Sequence, residues 1–176
     1  MKRFILPLLA LLIIPIKVDG GVYEIKEDIM TDEKEIIYAI ISENQVSNII
    51  GIKEYVGLIV RCKNGNPSLI LNTPTYNADN KNIGIRWDKD KPTNEYWNKA
   101  TSSDAYFHRN PKKFIEESKK RDSVTLQWQP YQRAAVAAKF DLNSQNWKED
   151  TDQAIKDGCN LEKMKRLLLA PIRIIH

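Results

Sequence analysis

The sequence predicts an α+β domain dominated by antiparallel strands, in the form of a small sandwich or a curled sheet that carries two helices. Short segments with an apolar residue at every second position recur along residues 21–141, and this is the period of a strand with one buried face. Asn64-Gly65 lies between two such segments and suits a tight hairpin turn. Only two segments, about residues 111–120 and 144–157, have the apolar spacing of a helix.

The first twenty residues have the layout of an export leader. Lys2 and Arg3 precede the thirteen-residue apolar run Phe4 to Ile16, and Val18-Asp19-Gly20 supplies small residues for a peptidase. An uncleaved anchor is the alternative. A helix of that length reaches only about 20 Å, against a hydrocarbon core of about 30 Å. We therefore expect residues 1–20 to be a signal peptide that sends the chain out of the cytosol.

The rest of the chain divides into a body and an extension. Residues 21–160 suit a single β-rich domain with a sizeable core and are too short for two ordinary domains. Residues 161–176 mix basic residues with Leu167-Leu168-Leu169, and Pro171 interrupts them. This extension is interpreted either as a loosely packed tail or as a segment in weak contact with a membrane surface.

The formal net charge of +4 does not indicate a nucleic-acid binder. The basic surplus lies at the two ends, whereas residues 21–160 contain 20 Lys and Arg against 21 Asp and Glu. A body of mixed charge lacks the basic patch that binds a phosphate backbone. We expect no nucleic acid among the partners.

The strands of the body begin with a predicted hairpin. Tyr23 and Ile25 alternate with charged residues, and the β-branched run Ile36 to Ile41 fits a strand buried on both faces. Residues 43–53 are interpreted as an irregular connection anchored by isoleucines.

A second hairpin follows, and the later strands are shorter. Val56 to Cys62 and Ser68 to Asn72 form this hairpin, which places Cys62 on its buried face near the turn. Thr73 to Asn82 is predicted as a polar loop. The remaining strands are predicted at residues 83–87, 96–97, 105–107, 124–128 and 134–140.

The two predicted helices have recognisable ends. Asn110 can cap the first helix, and Pro111 suits its first position, where the missing N–H costs little. Asn143 or Ser144 can cap the second helix, and Gly158 suits the left-handed residue that ends it.

The chain has two cysteines, Cys62 and Cys159. In an oxidising compartment this even count predicts a disulfide, with two free buried thiols as the alternative. The bond would fasten the end of the second helix to the hairpin of Cys62. Two cysteines without clustered histidines cannot supply a tetrahedral zinc shell, so no metal or other cofactor is expected.

Several motifs in order resemble the periplasmic accessory family associated with type VI secretion, the VasI or TagO-like proteins. The resembling segments are Asp28 to Lys34, Leu58 to Cys62, Arg86-Trp87-Asp88, Trp97, Ser102-Ser103-Asp104, Phe114-Ile115, Ala138 to Leu142 and Cys159. The resemblance covers roughly residues 22 to 160. It implies a β-rich envelope domain with no established catalytic residues.

No catalytic constellation is visible in the sequence. His108 and His176 are the only histidines, and no Gly-x-Ser-x-Gly stretch frames a serine. His108 is interpreted as a surface or capping residue at a junction between a strand and a helix. A glycosidase pair of carboxylates cannot be detected from sequence alone.

A candidate binding surface is predicted at Arg86, Tyr96, Trp97 and Arg133. Flat aromatic rings stack on sugars or anchor protein interfaces, and arginine adds planar hydrogen bonding. Trp87 is interpreted as a core residue, whereas Trp97 follows a charged turn and is the better candidate for exposure at the surface.

Three functions are compatible with these predictions. The first is a non-enzymatic, exported accessory or binding protein of the bacterial envelope, with an envelope protein or a cell-wall component as partner. The second is an exclusion or inhibitory factor from a phage or another mobile element, acting on an envelope target. The third is a cell-wall hydrolase.

Overall fold

Two antiparallel sheets pack face to face in the computed structural model, which describes residues 21–161. The strands are β1 (Val22–Glu27), β2 (Lys34–Ser47), β3 (Lys53–Lys63), β4 (Asn66–Asn72), β5 (Asn82–Trp87), β6 (Thr93–Tyr96), β7 (Asn98–Lys99), β8 (Ala105–Phe107), β9 (Ser123–Trp128) and β10 (Val136–Asp141). The helices are α1 (Pro111–Ser118) and α2 (Trp147–Lys156). The predicted leader and residues 162–176 of the predicted extension lie outside the described residues.

The first sheet has six strands in the order β1-β2-β3-β4-β8-β7, and the second has four in the order β10-β9-β5-β6. All strand pairs are antiparallel. The predicted α+β class with mainly antiparallel strands is therefore confirmed. Of its two predicted forms, the sandwich is the one observed.

The core lies between the facing sheets. Alternate residues of each central strand point into it, as the period of two requires. The first sheet contributes Tyr38, Ile40, Val56, Leu58, Val60, Leu69 and Leu71, and the second contributes Ile83, Ile85, Val124, Leu126, Trp128, Ala138 and Phe140.

The hairpin between β3 and β4 forms as predicted. Asn64 and Gly65 have φ values of 49° and 78°, which are the left-handed conformations that a tight two-residue turn needs. Cys62, just before this turn, is buried on the inner face.

The interpretation of residues 43–53 as an irregular connection is wrong. Strand β2 continues to Ser47 through a register shift between Ile41 and Gln45 and stays paired with β3. Asn44 supports this stretch because its side chain bonds both the carbonyl of Ala137 and the amide of Lys139 on β10. Asn44 can extend the strand because its side-chain partners are backbone groups of β10 in the other sheet.

Helix α1 begins as predicted. The side chain of Asn110 accepts a hydrogen bond from the Lys113 amide at 3.2 Å, and Pro111 occupies the first turn. Ser118 ends the helix, and its hydroxyl accepts a 2.8 Å hydrogen bond from Nε1 of Trp147 on α2. Neither helix within residues 21–161 is long and apolar enough to cross a membrane.

Helix α2 begins later than predicted. Asn146 precedes its first turn with φ of 56° and makes no side-chain cap bond. Asn143 and Ser144 are not the cap, because Asn146 directly precedes the helix. Their amides instead donate to Oδ1 of Asp141 in a tight turn that ends β10.

The predicted disulfide is present and joins the end of α2 to the β3–β4 hairpin. The Cα atoms of Cys62 and Cys159 are 5.7 Å apart. Gly158 has φ of 107°, the left-handed conformation predicted for the residue that ends the helix. The Asn160 amide donates to the Gly65 carbonyl at 2.9 Å, and Tyr23 donates its hydroxyl proton to Asp157 at 2.6 Å. The disulfide therefore fastens the end of α2 together with hydrogen bonds to β1 and to the hairpin turn.

Candidate functional site

The prediction that Trp97 lies on the surface is wrong. Its side chain is 0% exposed and packs edge-on against His108 and Phe114, with ring centroids 4.7 Å and 5.9 Å away. Helix α1 supplies Phe114 and covers the indole. The charged residues that precede Trp97 in sequence do not predict this long-range contact.

The three other predicted residues do not share one surface. Arg86 lies on the outer face of β5, opposite Thr125 near the start of β9, whereas Arg133 follows the end of β9. Tyr96 is 42% exposed, and the guanidinium of Arg109 stacks 4.0 Å from its ring centroid. Of this predicted set, Arg133 is the residue that belongs to a larger exposed cluster.

That cluster is formed by three loops, residues 48–52, 73–79 and 129–135, which we call the tyrosine end. Arg133 joins two of them because its Nη1 donates to the carbonyls of Ser47 and Asn48 at 2.9 Å and 2.8 Å. The Tyr131 amide donates to the Tyr76 carbonyl at 2.8 Å, and this bond joins loop 129–135 to loop 73–79. The three loops thus form one continuous surface at the end of the sandwich away from the disulfide.

Large apolar and aromatic side chains are exposed at the tyrosine end. Tyr76 and Tyr131 are 55% and 52% exposed, and their rings meet at 90° with centroids 5.8 Å apart. Ile49 and Ile50, at the tip of the β2–β3 turn, are 76% and 75% exposed. The predicted role of these isoleucines as anchors is therefore wrong. Exposed groups of this kind mark interaction sites more often than singly scattered apolar residues do.

A buried polar network holds the loop of Tyr76 in place. Thr75 donates its hydroxyl proton to Oδ1 of Asn77 at 2.7 Å and accepts the Nε1 proton of Trp128 at 3.0 Å. The side-chain amide of Asn77 donates to the hydroxyl of Thr73 at 2.8 Å. Because a satisfied buried network fixes the geometry of its members, the loop predicted only as polar is a rigid support.

The isoleucine turn is fixed by one asparagine. Oδ1 of Asn48 accepts hydrogen bonds from the amides of Ile50 and Ile52 at 3.1 Å and 3.0 Å. Gly51 takes φ of 87°, which a residue with a side chain adopts only with strain. The exposed isoleucines are therefore presented by a defined turn.

The tyrosine end is suited to binding. Tyrosine gives a large amphipathic contact area at a low cost in conformational entropy, and such residues dominate protein interfaces.

The sequence contained one signal for the exposure of these tyrosines. Tyr76 and Tyr131 each lie within two residues of a proline in a loop, at Pro74 and Pro130, where an aromatic residue has no strand face to bury it.

A cleft of about 210 Å³ lies between α1 and the second sheet, with Trp87, Phe114 and His108 in its wall. Nε2 of His108 lies 2.8 Å from the Glu95 carboxylate, and Nδ1 accepts the Asn110 amide proton at 2.9 Å. His108 is therefore a buried capping residue with both ring nitrogens engaged. Its predicted position at the junction of a strand and a helix is confirmed, but its side chain is only 6% exposed.

Burial lowers the pKa of His108 below its ordinary value of 6.5, and the Glu95 carboxylate opposes this effect in part. At His108 the folded protein then binds fewer protons than the unfolded chain at mildly acid pH. The contribution of this group to the free energy of unfolding should therefore fall as the pH drops below about 6.5. We expect His108→Asn to reduce this slope between about pH 7 and pH 5, as measured by urea unfolding at several pH values.

Burial raises the pKa values of the Asp88 and Asp141 carboxyls, but backbone amide donors outweigh this effect and hold both pKa values below the ordinary value. They lose their contribution only near and below about pH 4, outside the histidine window. If the free energy of unfolding of His108→Asn changed with pH as steeply as that of the wild type between about pH 7 and pH 5, the buried imidazole would not control stability there.

Within residues 21–161, no group of three or more His, Cys, Asp or Glu side chains is placed to hold a metal ion. Comparison with known proteins finds no match for this chain among family models, curated proteins or solved structures. The similarity to the type VI secretion-associated family stays a prediction from its motifs.

Proposed function

We propose that the protein is an exported envelope protein that works by binding a partner through its tyrosine end, as an accessory protein similar to those associated with type VI secretion. The leader-like residues 1–20 and the Cys62–Cys159 bond support export, because such bonds persist in oxidising compartments. The partner is an envelope protein or a cell-wall component.

The observation that carries this proposal is the rigid presentation of exposed tyrosines and isoleucines. Solvent-exposed apolar groups gain free energy when a partner covers them, and a loop that is already ordered loses little entropy on binding. The network beneath Tyr76 and the turn around Asn48 supply that order. The same surface also fits an exclusion factor from a mobile element that binds an envelope target, and the genes next to this one would separate the two roles.

A cell-wall hydrolase is the third proposal, and it makes a different prediction. Purified protein would release soluble fragments from peptidoglycan. Loss of Tyr76 and Tyr131 would weaken substrate binding but would not identify the catalytic groups. An absence of released fragments, together with retained binding to an envelope component, would favour the binding role.

Replacing the two tyrosines of the tyrosine end tests the binding role. We expect Tyr76→Ser combined with Tyr131→Ser to weaken retention of the envelope partner by roughly 30-fold, the effect of losing about 2 kcal/mol at an aromatic hot spot. The measurement is quantitative affinity capture of the exported protein from envelope extracts.

Tyr96→Ser provides the matched control, since Tyr96 is also an exposed tyrosine but lies outside the tyrosine end. Equal retention by the double variant and by Tyr96→Ser would remove the tyrosine end from the proposal. Unfolding curves of all variants confirm that each one is folded.

A further inference from the structure

The cleft between α1 and the second sheet has an aromatic wall. The rings of Trp87 and Phe114 lie against each other with centroids 4.8 Å apart, and the His108 ring follows at 5.3 Å from that of Phe114. Phe114 is 3% exposed, and Trp87 is partly buried at the end of β5. The three rings therefore form one continuous surface that the core of the protein holds in place.

Glu95 brings a negative charge to this cleft. It pairs with Ile83 across β6 and β5, and paired residues of antiparallel strands lie on the same face, so Glu95 is on the inner side of the sheet. Nδ1 of His108 accepts the Asn110 amide proton, so Nε2 carries the imidazole proton and donates it to Glu95 at 2.8 Å. Burial lowers the pKa of His108, and the imidazole is therefore neutral near pH 7. This hydrogen bond leaves the charge of the Glu95 carboxylate uncancelled.

Lys113 brings a positive charge to the same cleft. Glu117, one turn further along α1, also lines the cleft, but its carboxylate pairs with Arg121 at 2.7 Å. Within residues 21–161, Lys113 forms no ion pair with a carboxylate and Glu95 forms none with Lys or Arg. The cleft thus presents one carboxylate and one ammonium group, neither paired with an opposite charge, beside an aromatic wall.

We propose that this cleft binds a free apolar α-amino acid. The ammonium group of the ligand pairs with Glu95, its carboxylate pairs with Lys113, and its side chain packs on the aromatic wall. Opposite charges placed in this way select a ligand by complementarity. A simple amine would leave Lys113 without a partner, and a simple carboxylic acid would leave Glu95 without one. An apolar amino acid matches all three features of the cleft together.

The size of the cleft suits a ligand of this class. Its volume of about 210 Å³ is smaller than the roughly 300–1,000 Å³ of pockets for drug-sized molecules. L-Phenylalanine is a suitable probe because its ring can pack on the aromatic wall. A ligand of about a dozen non-hydrogen atoms is expected to bind such an open site with a dissociation constant on the order of 1 mM. The cleft shares no residue with the tyrosine end and does not depend on the proposed function.

An NMR titration of the exported full chain with L-phenylalanine tests the site. The indole N–H signal of Trp87 should shift with a dissociation constant on the order of 1 mM at about pH 7.5, where His108 is neutral. Two related probes each lack one charge: 3-phenylpropionate has no ammonium group, and 2-phenylethylamine has no carboxylate. Each should bind at least about 5-fold more weakly than L-phenylalanine.

Two variants assign the charges to their residues. Glu95→Gln keeps an oxygen that accepts the Nε2 proton of His108, and it should abolish the preference for L-phenylalanine over 3-phenylpropionate. Lys113→Gln should abolish the preference for L-phenylalanine over 2-phenylethylamine. Glu116→Gln is the matched control, since Glu116 is an exposed residue of α1 outside the lining of the cleft. It should leave the three dissociation constants unchanged.

Thermal unfolding of each variant confirms the fold. An unshifted Trp87 signal in the wild type at about 20 mM L-phenylalanine, twenty times the expected constant, would overturn the site. Equal binding of the three probes by the wild type would also overturn it. So would unchanged preferences in both Glu95→Gln and Lys113→Gln.

Discussion

Replacing Cys62 and Cys159 together by alanine is expected to lower the free energy of unfolding by about 2–5 kcal/mol, one of the two largest effects in this protein. The bond closes a loop with a sequence separation of 97 residues, and a loop near 100 residues contributes about 4.7 kcal/mol in the chain-entropy account. Both side chains are buried, so the alanine variant also loses some packing.

Urea unfolding of the double variant measures this loss. Wild-type protein treated with a reducing agent is the control, because it lacks the bond but keeps both sulfur atoms in place. A double variant as stable as the oxidised wild type would contradict a structural role for the bond.

Trp147→Ala is expected to have an effect of similar size, about 3–5 kcal/mol. The indole is 0% exposed and meets the ring of Tyr38 edge-on, with centroids 5.3 Å apart. Its Nε1 also donates to the Ser118 hydroxyl at the end of α1. The indole therefore holds both helices and the first sheet together. The variant would leave a cavity at the place where these three elements meet.

Trp147→Phe separates packing from hydrogen bonding. The phenyl ring keeps most of the apolar contact but cannot donate to Ser118, so we expect a smaller loss of about 1–2 kcal/mol by urea unfolding. A loss in Trp147→Ala no larger than that in Trp147→Phe would show that packing of the indole contributes little.

Local patterns in the sequence predict most of the fold. Alternating apolar residues locate the central strands, Asn64-Gly65 locates a hairpin turn, and Asn110-Pro111 locates a helix start. These features succeed because each depends on residues close together in the chain. The position of Cys62 near the turn and of Cys159 after Gly158 then predicts which two elements the disulfide joins.

Features that depend on distant contacts are not predictable in this way. Trp97 is buried because α1 folds over it, and the charged turn before it says nothing of that contact. Tyr76 and Tyr131 meet through the isolated bridge between Asn77 and Pro130, although the two tyrosines are far apart in sequence. No local period encodes such a meeting, so the candidate site emerges only from the three-dimensional structure.

The most direct test of the central claim, that the tyrosine end contacts an envelope partner, is crosslinking in living cells. A photoreactive amino acid placed at position 131 should give one discrete crosslinked species in the envelope fraction, and the same amino acid at position 96 should not. Crosslinking of equal yield and pattern from positions 131 and 96, or none from position 131 in exported and folded protein, would contradict the claim.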